Sequence, residues 1–215
     1  MKFVVSYSGG KDSVLSLHKM LEQGHTPVGL LVMVNREQQR SWFHGVDLEL
    51  LQRISDSLQI PLILCESGGD DYHTMLEQGL KQAKAQGAEA CVFGDIDIEG
   101  HLAWCKERCE AVGITCIHPL WHRSREENTR EILSLGYQCL IKCVRNQDLP
   151  RELLGQPLST ELVAEMKRRG IDVCGENGEY HTVVVDGPIF HSPVRYLCRE
   201  VLDFGNISAV NICAN

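Results

Sequence analysis

The chain lacks any apolar run near the 18 or so residues that a membrane span needs. It also lacks an excess of positive charge: 21 lysines and arginines face 29 aspartates and glutamates, a formal charge of −8. That balance argues against a broad nucleic-acid surface, which depends on clustered basic residues. Aromatic residues are few and aliphatic ones plentiful, as in proteins that alternate strands with helices. None of the ten cysteines, at 65, 91, 105, 109, 116, 139, 143, 174, 198 and 213, forms a Cys-x-x-Cys pair. Zinc sites and redox pairs usually show that tighter spacing. Cys105/Cys109 and Cys139/Cys143 are four apart, which leaves a zinc pair open at either, yet most cysteines sit among apolar neighbours. Reduced, buried thiols in a cytoplasmic protein are the expectation. Repeats, low-complexity tracts and flexible linkers are absent, and the N-terminus reads as a core strand, so no signal peptide is expected.

What is present is an alternation. Lys2–Tyr7 reads as a strand, and a helix is expected from Lys11 to Gln23, stopped by Gly24. Pro27–Val34 is a near-continuous apolar run, the mark of a strand buried on both faces. A helix over Val46–Leu58, a strand over Pro61–Cys65 and a helix over Asp71–Gln86 follow. Ala90–Phe93 is a short strand, Glu99–Val112 a helix and Thr115–Ile117 a fifth strand. This order predicts an α/β fold with a doubly wound parallel sheet. After Pro119 the pattern changes. Ser124-x-x-Glu127 is a capping box opening a helix to about Leu135. A strand over Tyr137–Val144 and a helix from Ser159 to Gly170 come next, and Thr182–Ile212 reads as strands and turns. A 215-residue chain holds one or two domains, and the shift in pattern divides it into 1–118 and a smaller α+β region, 119–215.

The richest stretch lies at the first strand-to-helix turn: Ser8-Gly9-Gly10-Lys11-Asp12-Ser13. Two glycines let the backbone turn tightly and approach an anion. The amides after them open a helix, where the dipole favours negative charge. Lys11 adds a full positive charge, and Ser8 and Ser13 add hydroxyls. It is not a Walker P-loop, which needs four residues between its first glycine and Gly-Lys-[Ser/Thr].

Ligands of parallel sheets bind beyond the carboxyl ends of the strands. Asp95, in Gly94-Asp95-Ile96-Asp97, falls at such an end and is a candidate to orient a nucleotide or hold Mg²⁺, whereas Asp97 reads as a helix cap. His44, in Trp42-Phe43-His44-Gly45, is a candidate for the mouth of the substrate site. A late loop, Gly175-Glu176-Asn177-Gly178-Glu179-Tyr180-His181-Thr182, crowds two carboxylates, an imidazole and a hydroxyl between glycines. Glu176 and Glu179 are candidates to bind Mg²⁺, position an amine or act as bases, and His181 to accept a proton from ammonium. Asn177, Gly178, Tyr180 and Thr182 are candidate substrate contacts. His118 and His122, flanking Pro119-Leu120-Trp121, read as structural.

The Ser-Gly-Gly-x-Asp-Ser pattern resembles the pyrophosphate loop of the adenine-nucleotide α-hydrolase superfamily, whose members usually cleave ATP between the α- and β-phosphates. With the late Gly-Glu-Asn-Gly-Glu-Tyr-His-Thr, the whole chain resembles the diphthine–ammonia ligase family. Gly94-Asp95-Ile96, Pro119-Leu120-Trp121 and Val184-Val185-Asp186-Gly187-Pro188 match further segments. Asn177 departs from a position that is commonly glycine, a mild change because Asn tolerates positive φ.

The resemblance implies an ATP- and Mg²⁺-dependent amide synthesis: a carboxylate is adenylated, pyrophosphate leaves, and ammonia displaces AMP. It implies that Ser8, Gly9, Gly10, Lys11, Asp12 and Ser13 hold the phosphates, with Lys11, Glu176, Glu179 and His181 catalytic. In archaeal and eukaryotic members the substrate is diphthine on elongation factor 2. A bacterial member would take another carboxylate, such as one in cobalamin salvage. A homodimer is left open, and neither membrane nor nucleic acid is expected as a partner. Two other classes compete. Adenylating enzymes that modify tRNA commonly carry Cys-x-x-Cys pairs or basic appended domains, which are missing here. Non-catalytic ATP-binding modules of the universal stress type lack a second carboxylate-rich motif.

Overall fold

The computed structural model describes all 215 residues. Its first half alternates β1 (Lys2–Ser6), α1 (Lys11–Glu22), β2 (Thr26–Asn35), β3 (Arg40–Ser41), α2 (Leu48–Leu58), β4 (Leu62–Ser67), α3 (Tyr72–Ala85), β5 (Ala90–Val92), α4 (Glu99–Val112) and β6 (Thr115–Ile117). The second half holds α5 (Arg125–Ser134), β7 (Gln138–Arg145), α6 (Thr160–Arg168), β8 (Tyr180–Asp186), β9 (Tyr196–Asp203) and β10 (Ile207–Ala214).

Five strands of the first sheet run parallel in the order β4-β2-β1-β5-β6. The chain builds outward from β1 on one side, then returns to β5 on the other. The reversal lies between β1 and β5, the place where a crevice opens for a ligand. Side chains alternate across this sheet with a period of two. Phe3, Val5, Leu30, Val32, Ala90 and Val92 belong to one apolar cluster, and Val4, Leu31, Met33, Cys91 and Phe93 to another. The smaller cluster is closed by Leu76, Leu80 and Ala83 of α3 and by Cys105 and Cys109 of α4. The larger is closed by α1, α2 and α5 and by residues of the second sheet. The α/β, doubly wound reading therefore stands, with helices on both faces.

The second sheet is antiparallel, β8-β7-β10-β9. Val144, Val183, Val184, Val185 and Val210 lie in the same 39-residue cluster as Phe3 and Val5, so one apolar core runs under both sheets. Each buried valine or leucine contributes about 1.5–3 kcal/mol relative to exposure. Caps set several helix starts. Asp47 accepts from the amides of Glu49 and Leu50, Ser124 from Glu127 and Ser159 from Leu162. Asp97, expected to cap α4, does not do so: the cap position is Ile98, and the Asp97 carboxylate instead takes two 2.8 Å bonds from Arg125. The two-residue β3 is also new, because so short an element leaves no periodicity to read. All ten cysteines are free, seven of them buried. No helix is long and apolar enough to cross a membrane.

Candidate active site

A cavity of about 580 Å³ opens where β1, β2 and β5 end, between the two sheets. One wall is the glycine turn after β1. Gly9 has φ +80°, a conformation that favours glycine. A Cβ on Gly10 would lie 2.5 Å from His44 Cε1 and 3.3 Å from the Thr182 carbonyl, so position 10 has no room for a side chain. The turn is stitched to β8. Val184 N–H donates to the Gly9 carbonyl (2.8 Å), and Lys11 N–H donates to Thr182 Oγ1 (3.0 Å). Ser8 Oγ accepts from Gly10 N–H and donates to Ser13 Oγ, both at 3.2 Å. Thr182 is thus a clamp on the turn, and the Lys11 amide is already occupied.

Lys11 is 4% exposed. Its ammonium donates to Asp12 Oδ2 (2.7 Å) and to the Cys174 carbonyl, and lies 5.6 Å from the centre of the Tyr180 ring. Burial alone would lower its pKa; the Asp12 carboxylate, with Cys174 and Tyr180, more than offsets this and holds the ammonium charged. The cation therefore joins the first turn to the late loop.

Asp172 organises that loop. Its Oδ1 accepts from Cys174 N–H (2.9 Å), and its Oδ2 from Glu176 N–H (3.2 Å) and from the Arg125 guanidinium. Glu176 is thereby turned into the cavity, where its carboxylate, that of Asp12 and the Cys174 thiol lie within 4.8 Å of one another. Burial and then the Asp12 charge push Glu176 up to about 7. Glu179, expected beside it, points away. Its carboxylate accepts from Asn177 N–H (3.1 Å) and Nδ2 (3.3 Å) and sits 3.7 Å from Arg145. Neither Glu179, Asn177 nor Gly178 lines the cavity. They form the turn that presents Glu176, because residues three apart in a glycine-bounded loop need not share a face. Tyr180 lines the cavity with its ring while its hydroxyl donates to the Val173 carbonyl (2.6 Å).

His44 and His181 meet in the cavity with ring centres 4.6 Å apart, and His44 Nδ1–H donates to the Thr182 carbonyl (2.9 Å). Burial lowers His44 to about 4; burial, with His44 and Lys11 nearby, lowers His181 to about 3. In the ligand-free chain His181 is therefore a neutral, weakly basic ring at pH 7. Both folded values lie below the ordinary 6.5, so the unfolded chain binds more protons as pH falls. Stability is whole above about 6.5 and falls as pH drops toward 4 and then 3. In His181→Phe, the pH slope of the urea unfolding free energy between pH 6 and 4 is expected to be shallower by about 1 kcal/mol per unit. An unchanged slope would show that His181 protonates freely in the fold.

Asp95 lines the cavity, but its neighbours are Cys105 Sγ and His118 Nε2, each 3.7 Å from Oδ2, and His101 Nδ1, 3.3 Å from Oδ1. Thiol and imidazole are not the hard oxygen donors that Mg²⁺ selects. Asp12 and Glu176 bring two carboxylates together beside the Cys174 thiol. The opposite end is aromatic: Trp42, Tyr72 and Trp104 form a wall with ring centres 5.8 and 6.1 Å apart. The Trp42 indole N–H is buried without a partner.

Sequence reasoning missed Asp172, Cys174, Arg125, Tyr72 and Trp104. Only Asp172 left a signal, an Asp two residues before the turn, the pattern of an Asx-turn. Arg125 bridges Asp97 and Asp172 and so ties α5 to both walls. Arg125→Ala is expected to cost about 1–2 kcal/mol in urea unfolding and to weaken, several-fold, binding of the nucleotide that the sequence resemblance implies, because Asp172 loses its charge partner while still aiming two amides. Unaltered binding by calorimetry would separate the bridge from the site.

The family model for the diphthamide synthase N-terminal domain matches residues 1–116, and that for the diphthamide synthase C-terminal domain matches residues 124–205. Similar curated proteins include the diphthine–ammonia ligase of Bos taurus, 24% identical over 94% of this chain and 85% of that protein. The diphthine–ammonia ligase of Homo sapiens shows the same identity and coverage. Among solved structures, a "predicted subunit of tRNA methyltransferase" from Methanocaldococcus jannaschii aligns with a TM-score of 0.47 at 17% identity, over 87% of this chain and 98% of that one.

Proposed function

Because the chain belongs to the diphthamide synthase family, we propose that it is an ATP-dependent amide-forming ligase, with 1–118 as the ATP-binding half and 119–215 as the substrate half. The observation that carries this reading is the meeting of the Ser8–Ser13 turn and the Glu176 loop in one cavity, joined by the Lys11 ammonium. The aromatic, partly apolar end suits a purine ring, and the free indole N–H of Trp42 suits one of its acceptors. The glycine turn then meets the β- and γ-phosphates, with Ser8 and Ser13 supplying hydroxyls.

Lys11 stabilises the charge that builds on departing pyrophosphate, because its ammonium is fixed in place before the reaction. Asp12 and Glu176 would hold Mg²⁺. Burial and the Asp12 charge raise Glu176, and a divalent cation relieves that crowding of charge. An ion held there would supply positive charge to the phosphates. A substrate carboxylate oxygen attacks the α-phosphorus and the bond to pyrophosphate breaks. Ammonia then attacks the acyl carbon, loses a proton, and AMP leaves. Neutral His44 and His181 border this space as hydrogen-bonding groups. The acyl substrate is diphthine on elongation factor 2 where the host makes it, and otherwise a different carboxylate.

The test is nucleotide analysis after incubating the full chain with ATP, Mg²⁺ and ammonium, with and without diphthine-bearing elongation factor 2. AMP that appears only with the carboxylate partner and ammonium supports the ligase. Stimulation by tRNA instead overturns it, as does ATP left bound but intact both with that factor and with a panel of small carboxylic acids.

A further inference from the structure

Asp95, Cys105 and His118 stand outside the proposed reaction, yet they converge. Asp95 follows β5, His118 follows β6, and Cys105 lies on α4, which connects the two strands. One oxygen of Asp95, the Cys105 sulfur and a nitrogen of His118 lie within 4.8 Å of one another. Cys105 Sγ and His118 Nε2 are each 3.7 Å from Asp95 Oδ2. The first is a long thiol-to-carboxylate hydrogen bond, whereas the second is beyond hydrogen-bond reach for an imidazole nitrogen. Both separations are close to the edges of a tetrahedron about a zinc-sized ion, about 3.3–3.7 Å for these ligand types.

The histidine supplies an independent sign. Its side chain is 4% exposed, and Nε2 is buried without a hydrogen-bond partner. Nδ1 faces Cys116 Sγ at 3.7 Å, and Phe93 stacks on the ring at 5.3 Å and 15°. The ring is therefore held from behind while its other nitrogen points, unused, at a thiol and a carboxylate. Such backing is how proteins orient a metal-binding imidazole.

We propose that Asp95, Cys105 and His118 bind a divalent d-block cation of the Zn²⁺ class, leaving a fourth coordination position open toward the cavity. One sulfur, one nitrogen and one oxygen donor exclude Mg²⁺ and Ca²⁺ as preferred occupants. Three protein ligands with an open place are the pattern of a site that handles a water or a substrate oxygen. Asp95 and Cys105 both line the cavity, so that place faces the nucleotide and its partner. The other three-residue group, Asp12, Cys174 and Glu176, contains no imidazole, and its Cys174 carbonyl takes the Lys11 ammonium.

Co²⁺ alone, titrated into the metal-free full chain, tests this without turnover. One equivalent is expected to produce a thiolate-to-cobalt charge-transfer band with tetrahedral d–d bands. Cys105→Ser loses the charge-transfer band, His118→Gln weakens binding at least tenfold, and Cys174→Ser keeps both. Far-ultraviolet circular dichroism without metal checks the fold of each variant. If a variant fails to fold, cobalt-edge X-ray absorption on the unaltered protein decides alone, expected to show one sulfur with nitrogen and oxygen neighbours. No band, no sulfur in the first shell, a band that survives Cys105→Ser, or one lost with Cys174→Ser overturns the site.

Discussion

Lys11→Ala is expected to lower AMP formation by about 10²–10³-fold, the scale seen when a fixed charge donor is removed from a developing anion. The ammonium is buried, charged and doubly bonded in the ligand-free chain, so the proposed departure of pyrophosphate needs no reorganisation of it. Its loss also strips Asp12 of its cation and the Cys174 carbonyl of its donor, which costs about 1–3 kcal/mol of stability. The two effects separate with Lys11→Met, which keeps the stem packed but not the charge. Unfolding in urea should recover part of the stability while turnover stays low. Lys11→Arg is not expected to rescue, because a larger planar fork does not fit the buried place between Asp12, the Cys174 carbonyl and the Tyr180 ring. Turnover within twofold of the original in Lys11→Met would remove the lysine from the chemistry.

Glu176→Gln is expected to reduce AMP formation about 100-fold or more and to raise the Mg²⁺ concentration needed for half-maximal rate. Glutamine keeps the shape and removes the negative charge that the Asp12 pair needs to hold a hard cation. Glu179→Gln provides the contrast. Its carboxylate serves Asn177 and Arg145 outside the cavity, so about 1 kcal/mol of stability is lost and the Mg²⁺ requirement stays put. A reversal of the two profiles, read from Mg²⁺ titrations of the rate, would exchange their roles.

Much of the fold was legible because its signals are local. Glycine after α4, the Ser124 cap and the two-faced apolar run of β2 each act within a few residues. The glycine turn was legible for the same reason. The direction of Glu179 was not, because it is decided by Arg145, 34 positions earlier in the chain and paired through β7 and β8. The weak basicity of His181 was hidden as well, since it arises from burial against His44 and Lys11. Arg125 and Asp172 carry no motif, and their partnership exists only once α5 packs beside the late loop.

The clamp of β8 on the glycine turn also sets an order of assembly. The bond from Lys11 N–H to Thr182 spans 171 residues, and Val184 must arrive to take the Gly9 carbonyl. Contacts so distant in sequence form late and slowly, after the intervening loop entropy has been overcome. During synthesis the first sheet can emerge with its turn still unbraced. In the proposed ligase, nucleotide meets a finished cradle only when β8 has left the ribosome, so nascent chains ending before Thr182 should neither retain ATP nor deplete it.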